Sequence, residues 1–455
     1  MPLTTLHLTN SWHETSGGIA TFYRALISAA NRRGHRIRLV VPGENDGVEY
    51  VGDFAKIYYV KAPRARFNRD YRTIYPSQYL APGSRVQRIL AAERPDLVEV
   101  CDKYTLNYLG ALLRKGLLPA IDFRPVVVGL TCERMDDNFR TYVGRVPFAR
   151  AFCAAYMKWV YFPFFDHHVA NSEYTAGELR AASHGQMVSR SIWIAPMGVD
   201  LERFSPRRRS PVARGRLLER AGAHRDSVLI LYAGRLAPEK HLSLLFELIA
   251  RLRGSASRDY RLLVAGNGIE RGRWEAYCAK HAPGRAAFLG HIKSVEELAD
   301  IFANADVFVH PNPHEPFGIA PLEAMASGLP LVAPDRGGVT SYANADNAWV
   351  VPPTVGNFAE AVARAVEDTP ERNRRVGNAL RTSENYRWER VAASFLELYA
   401  DLAVHSACGL GSALPAPAFS STPPTGLQLA LSRGVSRGAE KAFQLASGFL
   451  SRAQR

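Results

Sequence analysis

Apolar positions along this chain return in two rhythms. Residues 5–10 alternate around Leu6 and Leu8, a Ser16-Gly17-Gly18 break follows, and Ile19, Phe22, Tyr23, Leu26, Ile27 and Ala30 then recur at helical spacing up to Gly34. A period of two predicts a strand, a period near 3.6 a helix, and a glycine just past the last periodic residue a left-handed cap. Residues 36–42, 96–101, 126–131 and 168–171 predict further strands separated by helical stretches. A second series, at 228–233, 261–265, 287–289, 306–310 and 329–333, repeats the alternation, and residues 387–403 predict a long amphipathic helix. Strands alternating with helices imply parallel sheets covered on both faces, here twice over.

The chain has 455 residues, of which 47% are hydrophobic and 22% charged, enough to bury a core in each of two domains and inconsistent with wholesale disorder. Domain expectations are 1–196, 197–385, a helix at 386–404 and a Pro/Gly/Ser-rich linker with a basic tail at 405–455, expected to be flexible. Five scattered cysteines, with no Cys-x-x-Cys pair, suggest neither a zinc site nor a disulfide framework and fit a reducing compartment. The first ten residues lack a secretory pattern. The most apolar window, 146–165, carries Arg150, Lys158, Pro147 and Pro163, so it reads as a buried or surface-lying segment and not as a membrane span.

The net charge of +14 points to an acidic partner. Nucleic acid is disfavoured, because no zinc-finger, RNP or helix-turn-helix pattern is present. Cations interleave with aromatics in two stretches, Lys61, Arg64, Arg66, Arg69 and Arg72 with Phe67, Tyr71 and Tyr75, and Arg140, Arg145, Arg150 and Lys158 with Tyr142, Phe148, Phe152, Tyr156 and Trp159. Together with the run Arg207 to Arg209 and the tail, they suit an anionic bilayer or a lipid-linked phosphate, with an ordinary solvated face as the alternative.

Two segments carry chemistry. Strand 228–233 leads into Gly234-Arg235-Leu236-Ala237-Pro238-Glu239-Lys240 and a helix expected to start at Pro238, placing Arg235 and Lys240 beside free helix amides, as a diphosphate requires. Taken alone, these are equally well solvated charges with Glu239 as a local partner. Strand 306–310 leads into a proline-rich loop and a helix from about Ile319 to Gly328, leaving Glu315 in the loop and Glu323 in the helix with seven residues between them. Phe317-Gly318 permits close backbone approach to a ligand, and the opening amides can meet hydroxyls or phosphate. A capping acid and a solvated glutamate are the plainer alternative.

Gly-Gly-Ile near the N-terminus, MGVDLERF at the domain junction, AGRLAPEK, VAGNG and HEPFGIAPLEAMASGLP together resemble the retaining glycosyltransferases of family 4, over roughly residues 6–403. The resemblance implies the α/β GT-B fold, two facing Rossmann-like domains with a deep cleft between them and a C-terminal helix that crosses back to the first. It implies a hexosyltransferase that takes a UDP- or GDP-sugar to a glycan, lipid or lipid-linked acceptor, with no metal or other cofactor. By the same resemblance Arg235 and Lys240 neutralise the donor diphosphate, Glu323 holds the ribose hydroxyls, and Glu315 with the amides of Phe317, Gly318 and Ile319 holds the donor sugar. Gly17 and Gly18 approach the phosphates, while Gly266-Asn267-Gly268 and Gly290-His291-Ile292 line the nucleotide side, these loops being equally readable as plain strand-to-helix turns. One departure stands out. The family usually places a histidine after a central N-terminal strand, whereas Cys132, Glu133, Asp136 and Asp137 follow residues 126–131 here. Cys132 or Glu133 takes that place, Cys132 also reads as a small buried residue, and the two aspartates read as solvated with an acceptor contact as the alternative. No Asp-x-Asp metal motif is present. The expected location is cytoplasmic, peripheral on the inner face of the membrane. The rivals are an NAD-dependent Rossmann enzyme, whose G-x-G-x-x-G is missing, a basic nucleic-acid binder, and a degenerate scaffold, which the presence of Arg235, Lys240, Glu315 and Glu323 disfavours.

Overall fold

Strands apolar on both faces can be buried only between two helical layers, and the chain builds two such sandwiches. The computed structural model describes residues 3–13, 17–65, 71–142, 148–183, 192–254, 258–367 and 369–407. The chain divides into two compact units, residues 1–196 joined by the segment from Glu389 onward, and residues 197–388.

The first unit holds β1 (Thr4–Thr9), β2 (Arg36–Gly43), β3 (Gly47–Val51), β4 (Ala55–Lys61), β5 (Leu97–Cys101), β6 (Val126–Thr131), β7 (His167–Ala170) and β8 (Ile192–Ile194) in the order β3-β4-β2-β1-β5-β6-β7-β8. All neighbours are parallel except β3 and β4. That edge hairpin was not expected from the pattern. In β3 the residues between Gly47 and Val51 are exposed, so no buried face marks the strand in sequence. Helix Gly18–Arg33 ends at Gly34 with φ 72°, the left-handed cap that the glycine predicted. The window around 146–165 forms helix Ala149–Tyr156, a π-helical turn Met157–Tyr161 and a 3-10 turn Phe162–Phe164. Among the described residues no helix is long and apolar enough to cross a membrane.

Two charged networks lie inside this unit. The Glu99 carboxylate is fully buried on β5, where it accepts from the Tyr23 and Tyr399 hydroxyls and lies 3.3 Å from His7 Nδ1. Tyr399 belongs to helix Trp388–Ala407, whose Phe395 also packs on Phe22, so the last helix is pinned to the core by both apolar and polar contacts. The second network centres on Lys103, 1% exposed, which donates to Glu178 at 2.5 Å and to the Glu133 carbonyl at 2.6 Å. Glu178 in turn accepts from the Met135 and Asp136 amides. A buried ion pair persists when further donors and acceptors surround it, here the Glu133 carbonyl and the Met135 and Asp136 amides.

The second unit holds β9 (Val228–Ala233), β10 (Tyr260–Ala265), β11 (Ala286–Gly290), β12 (Val307–Val309), β13 (Leu331–Pro334) and β14 (Trp349–Val351), all parallel, in the order β11-β10-β9-β12-β13-β14. This is the doubly wound dinucleotide-fold order, with its reversal between β9 and β12. The segments by which the chain enters and leaves this unit run side by side, since the Val199 amide donates to the Tyr386 carbonyl at 2.7 Å and a Cβ on Gly198 would strike the Trp388 ring.

Two expectations need correction. Lys240 does not open the following helix: Pro238–Lys240 is a separate 3-10 turn, His241 takes a left-handed φ of 51°, and the helix runs Ser243–Leu252. The break lets Leu242 turn into the core while Lys240 points elsewhere. The run Arg207 to Arg209 is not simply a surface for anions either. Arg208 pairs with Asp300 at 2.8 Å and Arg209 donates to the Gly328 carbonyl at 2.7 Å, so two of the three cations fasten the junction segment to its own unit. Arg66, Phe67, Arg69, Arg145 and the tail from 408 lie outside the described residues.

Candidate active site

In a doubly wound sheet the chain leaves adjacent strands toward opposite faces at the reversal point, so the loops there diverge and leave a crevice at the strands' carboxyl ends. β9 and β12 flank that point, and their loops carry Arg235, Lys240 and Glu315. Lys240 Nζ donates to both Glu315 oxygens, at 2.9 and 3.0 Å, although the residues are 75 positions apart. Asn312 Nδ2 adds a bond of 3.0 Å to the same carboxylate, and His310 Nε2 stands 3.8 Å away. Burial pushes the Glu315 carboxyl upward, but the Lys240 ammonium leads the opposing interactions and holds it at about 2. Burial takes His310 down to about 4, so at neutral pH the imidazole is uncharged and the charge balance of Glu315 rests on Lys240. An ammonium has three donors, and two are spent on Glu315. Arg235 sits on the rim, half-exposed, with Nη2 2.8 Å from Glu239. The local pairing that the sequence left open is therefore real, and each cation carries its own carboxylate.

Of the two glycine loops expected on the nucleotide side, the one at 266–268 has a packing cause. A Cβ on Gly266 would lie 1.9 Å from the Gly234 carbonyl oxygen, and one on Gly268 would lie 2.2 Å from that of Leu236. Backbone bonds from Gly234 N to Ala265 O and from Leu236 N to Asn267 O close this packing. These glycines bring the 266–268 loop against the backbone of the Arg235 loop, whereas the side chains of Asn267 and His291 are exposed and Ile292 is half-exposed.

Phe317 contributes backbone only. Its ring is buried against Tyr342 at 5.1 Å and Tyr386 at 6.2 Å. Gly318 has φ 88°, a backbone conformation that favours glycine, and its carbonyl accepts from the Tyr342 hydroxyl. The helix that follows, Ile319–Ala326, has no side-chain cap, so its first amides are oriented donors. Glu323 lies in that helix, half-buried. Desolvation, with the charge of Asp200 adding to it, pushes its carboxyl up to about 8.

Sequence reasoning missed several members of this arrangement. His310, Asn312 and Tyr342 shape the Glu315 loop, and Gly337-Gly338 supports it from β13's loop: the Gly338 amide donates to the Glu315 carbonyl at 2.6 Å, and a Cβ there would lie 1.8 Å from Pro316 O. The signal was a Gly-Gly pair directly after a strand.

In the first unit the expected residues scatter. Gly17 and Gly18 are exposed at the start of helix Gly18–Arg33, and a Cβ on Gly17 would meet nothing within 4 Å, so no packing demands that glycine. Cys132 is half-buried and hydrogen-bonds the Cys101 thiol, raising the latter's pKa. The Glu133 carboxyl is raised by burial and accepts from Asn138 Nδ2 at 2.8 Å. Asp136 is half-buried and gripped by Arg134 with two bonds of 2.6 and 2.9 Å, so it is not the plainly solvated side chain that was expected. Asp137 likewise accepts from the Tyr174 hydroxyl and pairs with Arg140.

Comparison with known proteins agrees with this fold. A family model described as "Glycosyl transferases group 1" matches residues 216–382, and one described as "Glycosyltransferase Family 4" matches residues 16–203. The chain is 30% identical over 414 residues to a GDP-mannose-dependent alpha-(1-6)-phosphatidylinositol dimannoside mannosyltransferase of Mycobacterium tuberculosis, covering 89% of this chain and 98% of that relative. Among solved structures, sucrose-phosphate synthase from Thermosynechococcus elongatus superposes with a TM-score of 0.69 at 21% identity, over 88% of this chain and 99% of that one. Anabaena HepE in complex with UDP and glucose superposes with a TM-score of 0.64 at 18% identity, over 88% and 99%. The NAD-dependent and nucleic-acid readings fall away, and the chain belongs to the family-4 glycosyltransferases of GT-B fold, hexosyltransferases that work from a nucleotide sugar.

Proposed function

We propose that this protein transfers mannose from GDP-mannose to a glycolipid acceptor of the phosphatidylinositol type at a membrane surface, with retention of anomeric configuration and without a metal ion. The donor and acceptor rest on the mycobacterial phosphatidylinositol dimannoside mannosyltransferase, which the chain matches over nearly its whole length. The observation that carries the donor site is the Lys240–Glu315 pair across the β9/β12 reversal, with Arg235 on its rim and an uncapped helix beside it.

Cleaving the C1–O bond to the β-phosphate leaves an oxocarbenium-like sugar and adds negative charge to the diphosphate. Lys240, through its remaining N–H, Arg235 and the amides of helix Ile319–Ala326 stabilise that charge, which is why a cation from outside is dispensable. Glu315 holds the Lys240 ammonium in place and presents its carboxylate and loop amides to the sugar hydroxyls. Glu323, protonated at neutral pH, can donate to one ribose hydroxyl and accept from another. The acceptor hydroxyl attacks the face the diphosphate has left, its oxygen bonding C1 while its proton passes to the departing phosphate oxygen. Retention follows.

The test is transfer from GDP-mannose in the presence of a chelator, with the anomeric coupling of the product read by NMR. An inverted product sinks the retaining mechanism, loss of turnover on chelation sinks metal independence, and thermal stabilisation by UDP but not GDP sinks the choice of base.

A further inference from the structure

The segment 149–161 is apolar on two opposite faces. One faces the core, where Cys153, Tyr156, Met157, Val160 and Tyr161 are buried. The other faces outward and is lined by Phe148, Ala151, Ala154, Ala155 and Trp159, all exposed, with Phe148 85% and Trp159 62% accessible. Tyr142, in the preceding helix Met135–Tyr142, is 59% accessible. A soluble helix normally turns charges to water, and large exposed aromatics in one patch mark a surface that something covers.

The charges around the patch select the occupant. From residue 138 to 165 the sequence contains no aspartate or glutamate, and it contains four cations, Arg140, Arg145, Arg150 and Lys158. Arg150 and Lys158 interrupt the outward face, and neither is paired with a carboxylate among the described residues. Lys158 Nζ lies 4.1 Å from the centre of the Trp159 ring. A second copy of the chain docking by a two-fold axis would bring Arg150 and Lys158 against their own kind. An anionic bilayer meets both requirements at once: indole and phenyl rings sink to the acyl boundary while the cationic ends stay level with the phosphates.

Building on the glycolipid reading above, we infer that the outward face of residues 148–159, with Phe148 and Trp159 as anchors and Arg150 and Lys158 as counter-charges, is a docking surface for an anionic lipid bilayer. The face lies wholly within the first unit and uses none of the donor-site residues.

The test is co-sedimentation of the full chain, without nucleotide, with vesicles of phosphatidylglycerol and phosphatidylcholine and with vesicles of phosphatidylcholine alone. The expected result is binding to the anionic vesicles, weakened about tenfold or more by Phe148→Ser with Trp159→Ser, and equally by Arg150→Glu with Lys158→Glu. Because the basic tail is present in every variant, unchanged binding by both double variants overturns the proposal in favour of the tail. Equal binding to neutral vesicles overturns the charge argument, and a lipid-free dimer that the serine pair dissolves, with no vesicle binding, assigns the face to self-association. Should the serine pair fail to fold, quenching by brominated lipids still decides: it must be present in the unaltered protein and largely lost in Trp159→Phe. Stabilisation by GDP in lipid-free solution reads the donor site separately, so failure of the glycosyl-transfer reading and failure of this one are distinguishable.

Discussion

Both units gather charged groups beside their central strands, but they use them differently. In the first unit Lys103, Glu178, Glu99 and His7 are sealed inside, each facing another buried polar group. In the second, Lys240 and Arg235 stand at the β9/β12 reversal with 23% and 47% of their side chains open to solvent. Charge pairs of the first kind hold loops and a returning helix; those of the second stay open to solvent, as the proposed diphosphate role requires. The difference teaches that a close ion pair is informative about function only once its burial and its spare hydrogen-bonding capacity are known.

The sharpest way to break this contrast is Lys103→Met. It leaves the Glu178 carboxylate buried without its cation, so unfolding free energy is expected to fall by about 3–5 kcal/mol in denaturant titration. A loss below about 1 kcal/mol would mean that the network is solvated and that the first unit's charges resemble the second's. Next in size, Arg235→Ala and Lys240→Ala are each expected to cost about 2–4 kcal/mol in kcat/KM, with little change in the stability of the first unit. Near-normal turnover of the double variant removes the diphosphate role. Glu323→Ala is expected to weaken free nucleotide by about 1–2 kcal/mol in calorimetric titration, the worth of hydrogen bonds to a ribose; unchanged affinity excludes that contact.

The pH dependence has a definite sign. The Glu323 carboxyl is held at about 8, above its ordinary value of 4.5, so the folded state retains a proton that the unfolded chain has lost between those values. Its contribution to stability is present below pH 4.5 and is lost as the pH rises toward and through 8. Glu315, held at about 2, acts oppositely: its contribution is present above its ordinary value of 4.5 and is lost as the pH falls toward 2. Thermal melts at pH 5 and pH 8.5 are expected to show a fall in Tm of a few degrees that Glu323→Gln reduces; an identical fall in the variant contradicts the raised carboxyl. The smallest effect belongs to Asp136→Asn, about 0.5–1 kcal/mol in stability with turnover unchanged, since its partner is the half-buried Arg134 next to it. A large loss of turnover would restore Asp136 to the site.

Much of this was legible in the linear chain, for reasons that are local. A strand such as β6, at residues 126–131, and the cap at Gly34 follow from side-chain period and from the conformations open to glycine. The E-x7-E spacing, the Gly-Arg and Glu-Lys steps and their order along the chain marked the family before any contact was known. The exposed strand β3, the break at His241 and the grip of Arg134 on Asp136 were not legible, because each is settled by neighbours and not by its own residues.

The sequence by itself determined the alternation of strands and helices, the division of apolar from polar faces and the set of ionisable groups available for chemistry, since these depend on residue type and short-range spacing. Only the tertiary structure decided which ionisable groups meet. Lys240 and Glu315 are joined because the sheet order sets β9 beside β12, and Glu99 holds Tyr399 because the last helix returns to the first unit. Whether a carboxyl then rests at about 2, as Glu315 does, or at about 8, as Glu323 does, depends on the cation and the water left beside it, and that is a property of three-dimensional proximity.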